Sequence, residues 1–335
     1  MAGIEEVARA AGVSTATVSR ALRGLPNVND ETRERVRRVA LELGYVASPS
    51  AASLASGRTR TIGVLTPWVN HWFFANVIEG AERALRAENF DALLYTFELS
   101  RRSPRRSVDP GVLRRRVDGV LVVGLPLHTS EVHALESLGR PIVFVGTGAP
   151  GHVTVRLDDE LAARSATEHL LGLGHRRIGH LTGSPDDTDT WSPPMARQRG
   201  WQRALEVAGV APDPELEVHG YFDVQGGGES LRRLLRQVPD VTAVFASSDE
   251  MAMGAILAAR ELGLRVPQDL SVVGIDGHDL GALVGLTTMV QDAVDQGRLA
   301  ASLLLDMITG SPVPDDVVYP TSLLVRTSTG PVPSH

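Results

Sequence analysis

IEEVARAAGVSTATVSRALRG, residues 4–24, decides the reading of the N-terminal part of the chain. Ile4, Val7, Ala8 and Ala11 recur at helical spacing until Gly12 interrupts them. Val13 follows, and Ser14 is a good N-cap for a second helix carrying Ala16, Val18, Ala21 and Leu22. Two short helices joined by a tight glycine-containing turn make a helix-turn-helix. Gly24 and Pro26 end the second helix. A third is predicted from Asn29 or Asp30, with Val36, Val39, Ala40 and Leu43 on one face and Gly44 as its stop. A plain three-helix bundle with solvated arginines would share this pattern. The outer face of the second helix argues for more. Thr15, Ala16, Thr17, Ser19 and Arg20 are short or hydrogen-bonding residues with one long arginine, and none would clash with a nucleic-acid groove. A recognition helix reads base edges from its N-terminal turns, while hydroxyls and arginines hold phosphates.

Charge follows the same division. Residues 1–60 hold nine arginines against six carboxylates, a charge of +3, whereas residues 61–335 hold 24 against 34, a charge of −10, within a total of −7. A basic head on an acidic body points to an anionic partner confined to the first sixty residues. The chain contains no lysine, so every basic side chain offers the forked donors that suit phosphate and guanine. Its 335 residues correspond to about two domains at roughly 150 residues each. With 43% hydrophobic and 22% charged residues the composition is that of a folded globular protein. The absence of cysteine excludes disulfides, thiolate zinc sites and cysteine nucleophiles. No run approaches the ~18 apolar residues of a membrane span, and Glu5 and Glu6 speak against a secretory signal. A cytoplasmic, nucleoid-associated protein without membrane partners is expected.

The run from Ile4 to Gly24 resembles the headpiece of the lactose-repressor/purine-repressor (LacI/GalR) family, and the resemblance continues through VNDETRERVRRVALELGY, residues 28–45. It implies that Thr15, Ala16 and Arg20 occupy base-reading positions, with Arg20 reading guanine through its fork. Thr15 and Ala16 would meet thymine methyls or give weak readout. Ser14, Thr17, Ser19, Asn27 and Thr32 would contact phosphates or position the helix. In the family the next segment is a hinge helix that folds on operator DNA, its leucine wedged into the central minor groove. Ser48 suits its cap, Pro49 its first position, and Leu54 falls at the leucine. Ala47-Ser48 replaces the family's proline–asparagine pair and Ala52 an arginine, so fewer phosphate contacts are expected there. A flexible linker is the other reading of this segment.

From Thr61 apolar runs alternate with amphipathic stretches. Strands are predicted at 62–66, 92–96, 120–123, 142–145, 153–157, 178–181, 244–246 and 272–275. Helical stretches are predicted near 72–89, 130–139, 160–173, 195–208, 229–237 and 250–262. Buried strands alternating with helices make a doubly wound parallel sheet, and there are enough for two similar halves. The family resemblance extends over this body, through VDGVLVVG (117–124), GHRRIGHLTG (174–183), ARQRGWQRAL (196–205), the run 247–277 and LTTMVQD (286–292). It implies a two-lobed core like periplasmic sugar-binding proteins, with a ligand cleft at the carboxyl ends of the strands.

Fifteen residues are aromatic, and four of them, Trp68, Trp72, Phe73 and Phe74, fall within seven positions after the first strand. Such faces suit a sugar ring or a base. By resemblance Phe73 and Phe74 line the effector pocket, with Trp68 and Trp72 at a lid or rim. Arg197 matches the family's pocket arginine, Asp276 a pocket carboxylate and Phe222 a stacking aromatic. Ser248 and Asp249 end another strand, and Asp249 is equally readable as structural. Gln291 and Asp158 are weaker candidates. Gly146-Thr147 stands where some relatives carry larger residues, which leaves room for a bulkier ligand or water.

Gly146–Gly151 satisfies G-x-G-x-x-G, but Pro150 and a predicted strand follow instead of a helix, so it reads as a loop. His128/His133 and His175/His180 lack a companion carboxylate at ligand spacing, and no cofactor or metal is expected. Arg101–Arg106 and Arg114–Arg116 read as solvated runs. With no nucleophile elbow or phosphate loop, enzymatic activity is not expected. The expected architecture is therefore a three-helix headpiece (1–46), a hinge helix or linker (47–58) and a two-lobed core of doubly wound parallel sheets (59–335), with crossings near 158–162, 286–292 and 316–320. The expected function is that of a ligand-responsive repressor acting as a homodimer on a near-palindromic duplex, with a carbohydrate as its expected effector. The body alone would equally suit a solute-binding protein without gene control.

Overall fold

The computed structural model describes residues 2–22, 26–45, 58–97, 106–184 and 192–332. Gly24, the hinge candidate Leu54 with its flanking residues 48–55, and Arg101–Arg105 lie outside them. The chain divides into two compact units, Met1–Arg60 with Arg115–Asp118, and Thr61–Arg114 with Gly119–His335.

The first unit holds α1 (Ile4–Ala11), α2 (Thr15–Leu22) and α3 (Asp30–Glu42). Gly12, at φ +65°, closes α1 in the left-handed conformation that favours glycine. The Ser14 hydroxyl accepts the Thr17 N–H at 3.1 Å, and the Asn29 side chain accepts the Thr32 N–H at 2.8 Å, so α2 and α3 both begin on side-chain caps. Val7, Ala8, Ala11, Val18, Ala21, Val36 and Ala40 form the core. Leu43, expected on that face, is instead 41% exposed. It caps α3, and the backbone turns back through a bond from the Tyr45 N–H to the Ala40 carbonyl, so Tyr45 packs on the core in its place.

In the second unit β1 (Thr61–Thr66), β2 (Asp91–Thr96), β3 (Gly119–Val123), β4 (Ile142–Val145), β5 (Val153–Leu157) and β11 (Asp316–Tyr319) form a parallel sheet ordered β11-β5-β4-β3-β1-β2. The second sheet is ordered β12-β10-β9-β8-β6-β7, from β6 (Ile178–Thr182), β7 (Glu217–His219), β8 (Ala243–Ala246), β9 (Ser271–Asp276), β10 (Thr287–Val290) and β12 (Ser322–Leu324). Only the edge strand β12 runs antiparallel. Central strands such as β3, β6 and β9 are buried along their whole length, as helix-covered parallel sheets require. The chain passes between sheets after β5, after β10 and between β11 and β12.

α4 (Trp72–Ala87) packs on α10 (Ala293–Thr309) in the first lobe, and α8 (Val224–Gln237) packs on α9 (Asp249–Glu261) in the second. Both pairs cross through reciprocal glycines. A Cβ at Gly80 would overlap the Val294 carbonyl and one at Gly297 the Val77 carbonyl; likewise Gly254 meets the Val224 carbonyl and Gly227 meets Met251. The predicted helix at 229–237 in fact begins at Val224. Asp223 caps it through the Gly226 N–H at 2.5 Å, and the weak helix formers Gly226–Gly228 are held by the α9 contact. Helix α10 and the short strands β7, β10, β11 and β12 extend beyond the predicted elements.

Polar side chains are enclosed in the second lobe as well, His180 among them. His180 on β6 is fully buried between the rings of Trp201 (5.4 Å) and Phe245 (5.1 Å). Its Nε2 lies 2.8 Å from the Ser247 hydroxyl and its Nδ1 3.4 Å from Glu217, whose carboxylate also accepts from Gln198. Desolvation holds the His180 imidazole below its ordinary pKa, against the pull of Glu217. Burial depresses His175 and His169 in the same way.

Two outcomes are expected. Gly297→Ala gains up to about 1 kcal/mol of helix propensity but overlaps a backbone carbonyl that cannot swing aside, so a net loss of roughly 1–3 kcal/mol in denaturant unfolding is expected. A neutral or stabilising result would contradict the close crossing. The three depressed histidines bind protons more weakly folded than unfolded, so their contribution to stability is lost as pH falls through about 6.5. Raised carboxyls at Asp249 and Asp276 act in the opposite direction in both proteins, so the test is a difference. Between pH 7.5 and 5.5 the native chain should lose stability relative to His180→Phe, and an identical pH profile in that variant would contradict a buried neutral imidazole.

Candidate functional site

On the first unit Thr15, Ala16 and Arg20 lie exposed along one face of α2, opposite the buried Val18 and Ala21. Arg20 pairs with no described residue. Ser14 is exposed beside them and its hydroxyl also lies 2.9 Å from that of Thr17. Thr17, Ser19 and Thr32 are half-buried, while Asn27 is exposed at φ +67°.

In the second unit the remaining candidates gather at the carboxyl ends of the strands. Asp276 closes β9 at φ +140°, a strained conformation for a non-glycine residue. Its Oδ1 accepts from Gln291 Nε2 at 2.7 Å, and Gln291 Oε1 in turn accepts from Gln296 at 2.9 Å. Asp249 is wholly enclosed. Its carboxylate accepts the N–H groups of Gly277 (2.9 Å) and His278 (2.7 Å) and the Thr288 hydroxyl (2.7 Å), so it shapes the loop after β9. Ser248 caps α9 through the Met251 N–H at 3.3 Å. Burial pushes the carboxyls of Asp249 and Asp276 above their ordinary range; hydrogen bonds to Asp249, and for Asp276 the charge of Arg197, oppose it.

Arg197 lies on α7 (Pro193–Val207), which packs against α6 (Asp159–Gly172). Its guanidinium donates to Asp159 through Nε at 2.8 Å and to the Ser247 carbonyl through Nη1, while Nη2 stands 2.8 Å from the same carboxylate. Both side chains are 9% exposed. Burial raises the Asp159 carboxyl and Arg197 pulls against it. The neighbouring candidate Asp158 instead caps α6, accepting the Leu161 N–H at 2.9 Å.

The first lobe presents the aromatic run. Phe73 packs on Gly146 and Phe74 on Gly124, so the room expected beside Gly146-Thr147 is filled by the chain's own phenylalanine. Trp68, His71 and Phe74 form a ring cluster with centroids 4.8–6.4 Å apart.

Contacts from His71 and Trp72 then join the lobes. His71 Nδ1 lies 2.8 Å from Glu250 Oε2 and 3.2 Å from the Phe222 carbonyl. Both partners only accept, so Nδ1 carries the proton. The Trp72 N–H donates to Glu250 Oε1 at 3.3 Å, and the Trp72 indole N–H donates to Asp279 at 3.1 Å. The indole also stacks on His278 at 5.5 Å. Burial alone would depress His71, but the hydrogen bond and charge of Glu250 outweigh it and raise its pKa. His71, Glu250, Asp159 and Asp279 carried no sequence signal as site residues, because their partners are 38 to 207 positions away and only the fold pairs them. No group of metal-ligating side chains occurs among the described residues, and no described helix is long and apolar enough to cross a membrane.

Comparison with known proteins follows both units. The family profile for bacterial regulatory proteins, lacI family, matches residues 3–48, and that for a periplasmic binding protein-like domain matches residues 167–329. The HTH-type transcriptional repressor CytR of Escherichia coli (strain K12) is 34% identical, over 99% of this chain and 97% of that protein. A lac repressor dimer bound to operator and the anti-inducer ONPF has a TM-score of 0.84 at 27% identity, covering 98% of this chain and 99% of the other. A transcriptional regulator CelR–cellobiose complex has a TM-score of 0.71 at 33% identity, covering 98% and 100%. A full-length relative at this identity, matched along both the helical head and the two-lobed body, establishes that the chain belongs to the LacI family of DNA-binding transcriptional regulators.

Proposed function

We propose that the protein is a repressor that binds a near-palindromic operator as a homodimer and changes its grip when a hydroxylated small molecule, a sugar or sugar derivative, binds at the carboxyl ends of the two sheets. The observation that carries this reading is the exposed face of α2, where Thr15, Ala16 and the unpaired Arg20 stand free on a capped, well-packed helix. Arg20 is the guanine reader, Thr15 and Ala16 give apolar or weak readout, and Ser14, Thr17, Ser19, Asn27 and Thr32 serve the phosphates. Two headpieces then read adjacent major grooves, with the segment around Leu54 in the minor groove between them.

Effector recognition falls to Asp276 and Gln291 as hydrogen-bonding groups, with Phe73, Phe74 and Phe222 as apolar surfaces. Arg197 holds Asp159 and the end of β8 as well as facing this edge, while Ser248 and Asp249 shape it. A ligand that favours one arrangement of the lobes shifts DNA affinity by the difference in its binding to the two, typically about 1–3 kcal/mol and reciprocal between ligand and DNA. The relatives give this its class: one solved neighbour is a cellobiose complex, another holds operator and an anti-inducer. A regulator leaves its ligand chemically unchanged, so turnover of the ligand would contradict this reading.

Two variants test the assignment. Arg20→Ala should lose about 1–3 kcal/mol of discrimination at one base pair per half-site, read by competition with single-substituted duplexes; an unaltered base preference would contradict it. Arg197→Ala leaves the buried Asp159 unpaired and should cost about 3–5 kcal/mol of stability, much of it recovered in Arg197→Ala/Asp159→Ala. Additive losses in the double variant would show that the pair is not coupled.

A further inference from the structure

Glu250 is the second residue of α9, in the second lobe, yet its carboxylate ends at the head of α4 in the first. His71 caps α4 without a side-chain bond to it, and Trp72 is its first residue. Glu250 accepts one hydrogen bond from each: from Nδ1–H of His71 at 2.8 Å and from the backbone N–H of Trp72 at 3.3 Å. Both side chains are largely withdrawn from water, at 16% and 17% exposure. A helix N-terminus concentrates positive potential and unsatisfied N–H donors, and beside an imidazole it is the natural seat for a phosphate or carboxylate. Here an intramolecular carboxylate holds that seat.

Acidic side chains stand near that seat: Asp223 caps α8, Asp249 opens α9, Asp276 closes β9 and Asp279 follows it. Arg197 already donates to Asp159 and Ser247 and Arg326 to the Leu286 carbonyl, and the chain has no lysine.

We propose that Glu250 is a specificity-determining residue, a built-in anion that fills the anion seat of α4 and so restricts the effector to uncharged hydroxylated molecules, excluding phosphorylated and carboxylated ones. This rests on the reading that the effector binds between the lobes. Because the same carboxylate joins α9 to α4, an anionic ligand would have to break a lobe-to-lobe contact in order to bind, whereas a neutral one adds to it.

The test uses the full chain and inorganic phosphate. Thermal unfolding midpoints are measured at pH 7 against phosphate, with chloride at matched ionic strength as reference, for the native protein, Glu250→Ala and Glu250→Gln. Phosphate held by the basic headpiece contributes equally to all three, so the difference isolates α4. Glu250→Ala is expected to gain a saturable stabilisation with a dissociation constant at least about tenfold lower than the native chain's (1.4 kcal/mol). Glu250→Gln, which keeps the shape without the charge, should move in the same direction. Adding His71→Phe to Glu250→Ala should remove most of the gain, which a merely structural Glu250 would not produce. Equal phosphate responses in native protein and both folded variants would overturn the proposal. Phosphate gained by the variants while no uncharged ligand ever alters DNA binding would leave the anion seat standing and remove the effector reading instead. A phosphorylated effector bound by the native chain with Glu250 in place would remove only the exclusion.

Discussion

Every strand of a parallel sheet ends on the same edge, and that constraint organises the whole body of this protein. Asp276, Gln291, Ser248, Asp249 and Phe222 come from separate stretches of sequence, yet they gather because β7, β8, β9 and β10 all point one way. The first sheet delivers Trp68, His71, Trp72 and Phe73 after β1 by the same rule. Three passages of the chain between the sheets keep those edges in reach of each other, and the bonds from His71 and Trp72 to Glu250 and Asp279 are the result. Reciprocal glycines at the α4/α10 and α8/α9 crossings set how closely the covering helices approach.

The headpiece and the alternation of strands and helices were legible because both rest on local signals. Helical spacing, the Ser14 and Asn29 caps and the stop at Gly12 depend only on neighbours in sequence. So does the reading of eight strands as uninterrupted apolar runs. What escaped depends on tertiary pairing. β11 and β12 are short edge strands with alternating exposure, which resemble loops. Phe73 packs into the space beside Gly146, where the small residue alone suggests room for a bulkier ligand or water, and neither position shows this by itself. Arg197 pairs with Asp159, while the candidate Asp158 is spent on capping α6, a division that only the fold decides.

Electrostatics divides the labour. The basic, lysine-free head is free to meet phosphates, while the acidic body keeps nonspecific nucleic-acid contact to the head. Within the body, buried carboxylates are held by backbone N–H groups and amides, with the buried Arg197 shared between Asp159 and the Ser247 carbonyl after β8. An edge built this way favours ligands that donate hydrogen bonds over ligands that bring charge. It also makes the contact between lobes sensitive to what lies between them, which is the element a ligand-controlled regulator needs.

The most direct measurement is the set of sequences that the purified full-length protein retains from a random duplex pool at fixed, moderate salt. The expected result is one enriched near-palindrome whose half-sites lie about one helical turn apart, each with a guanine at the position reached by Arg20. A folded protein that retains duplexes without any sequence preference, with or without added neutral sugars, would contradict the account.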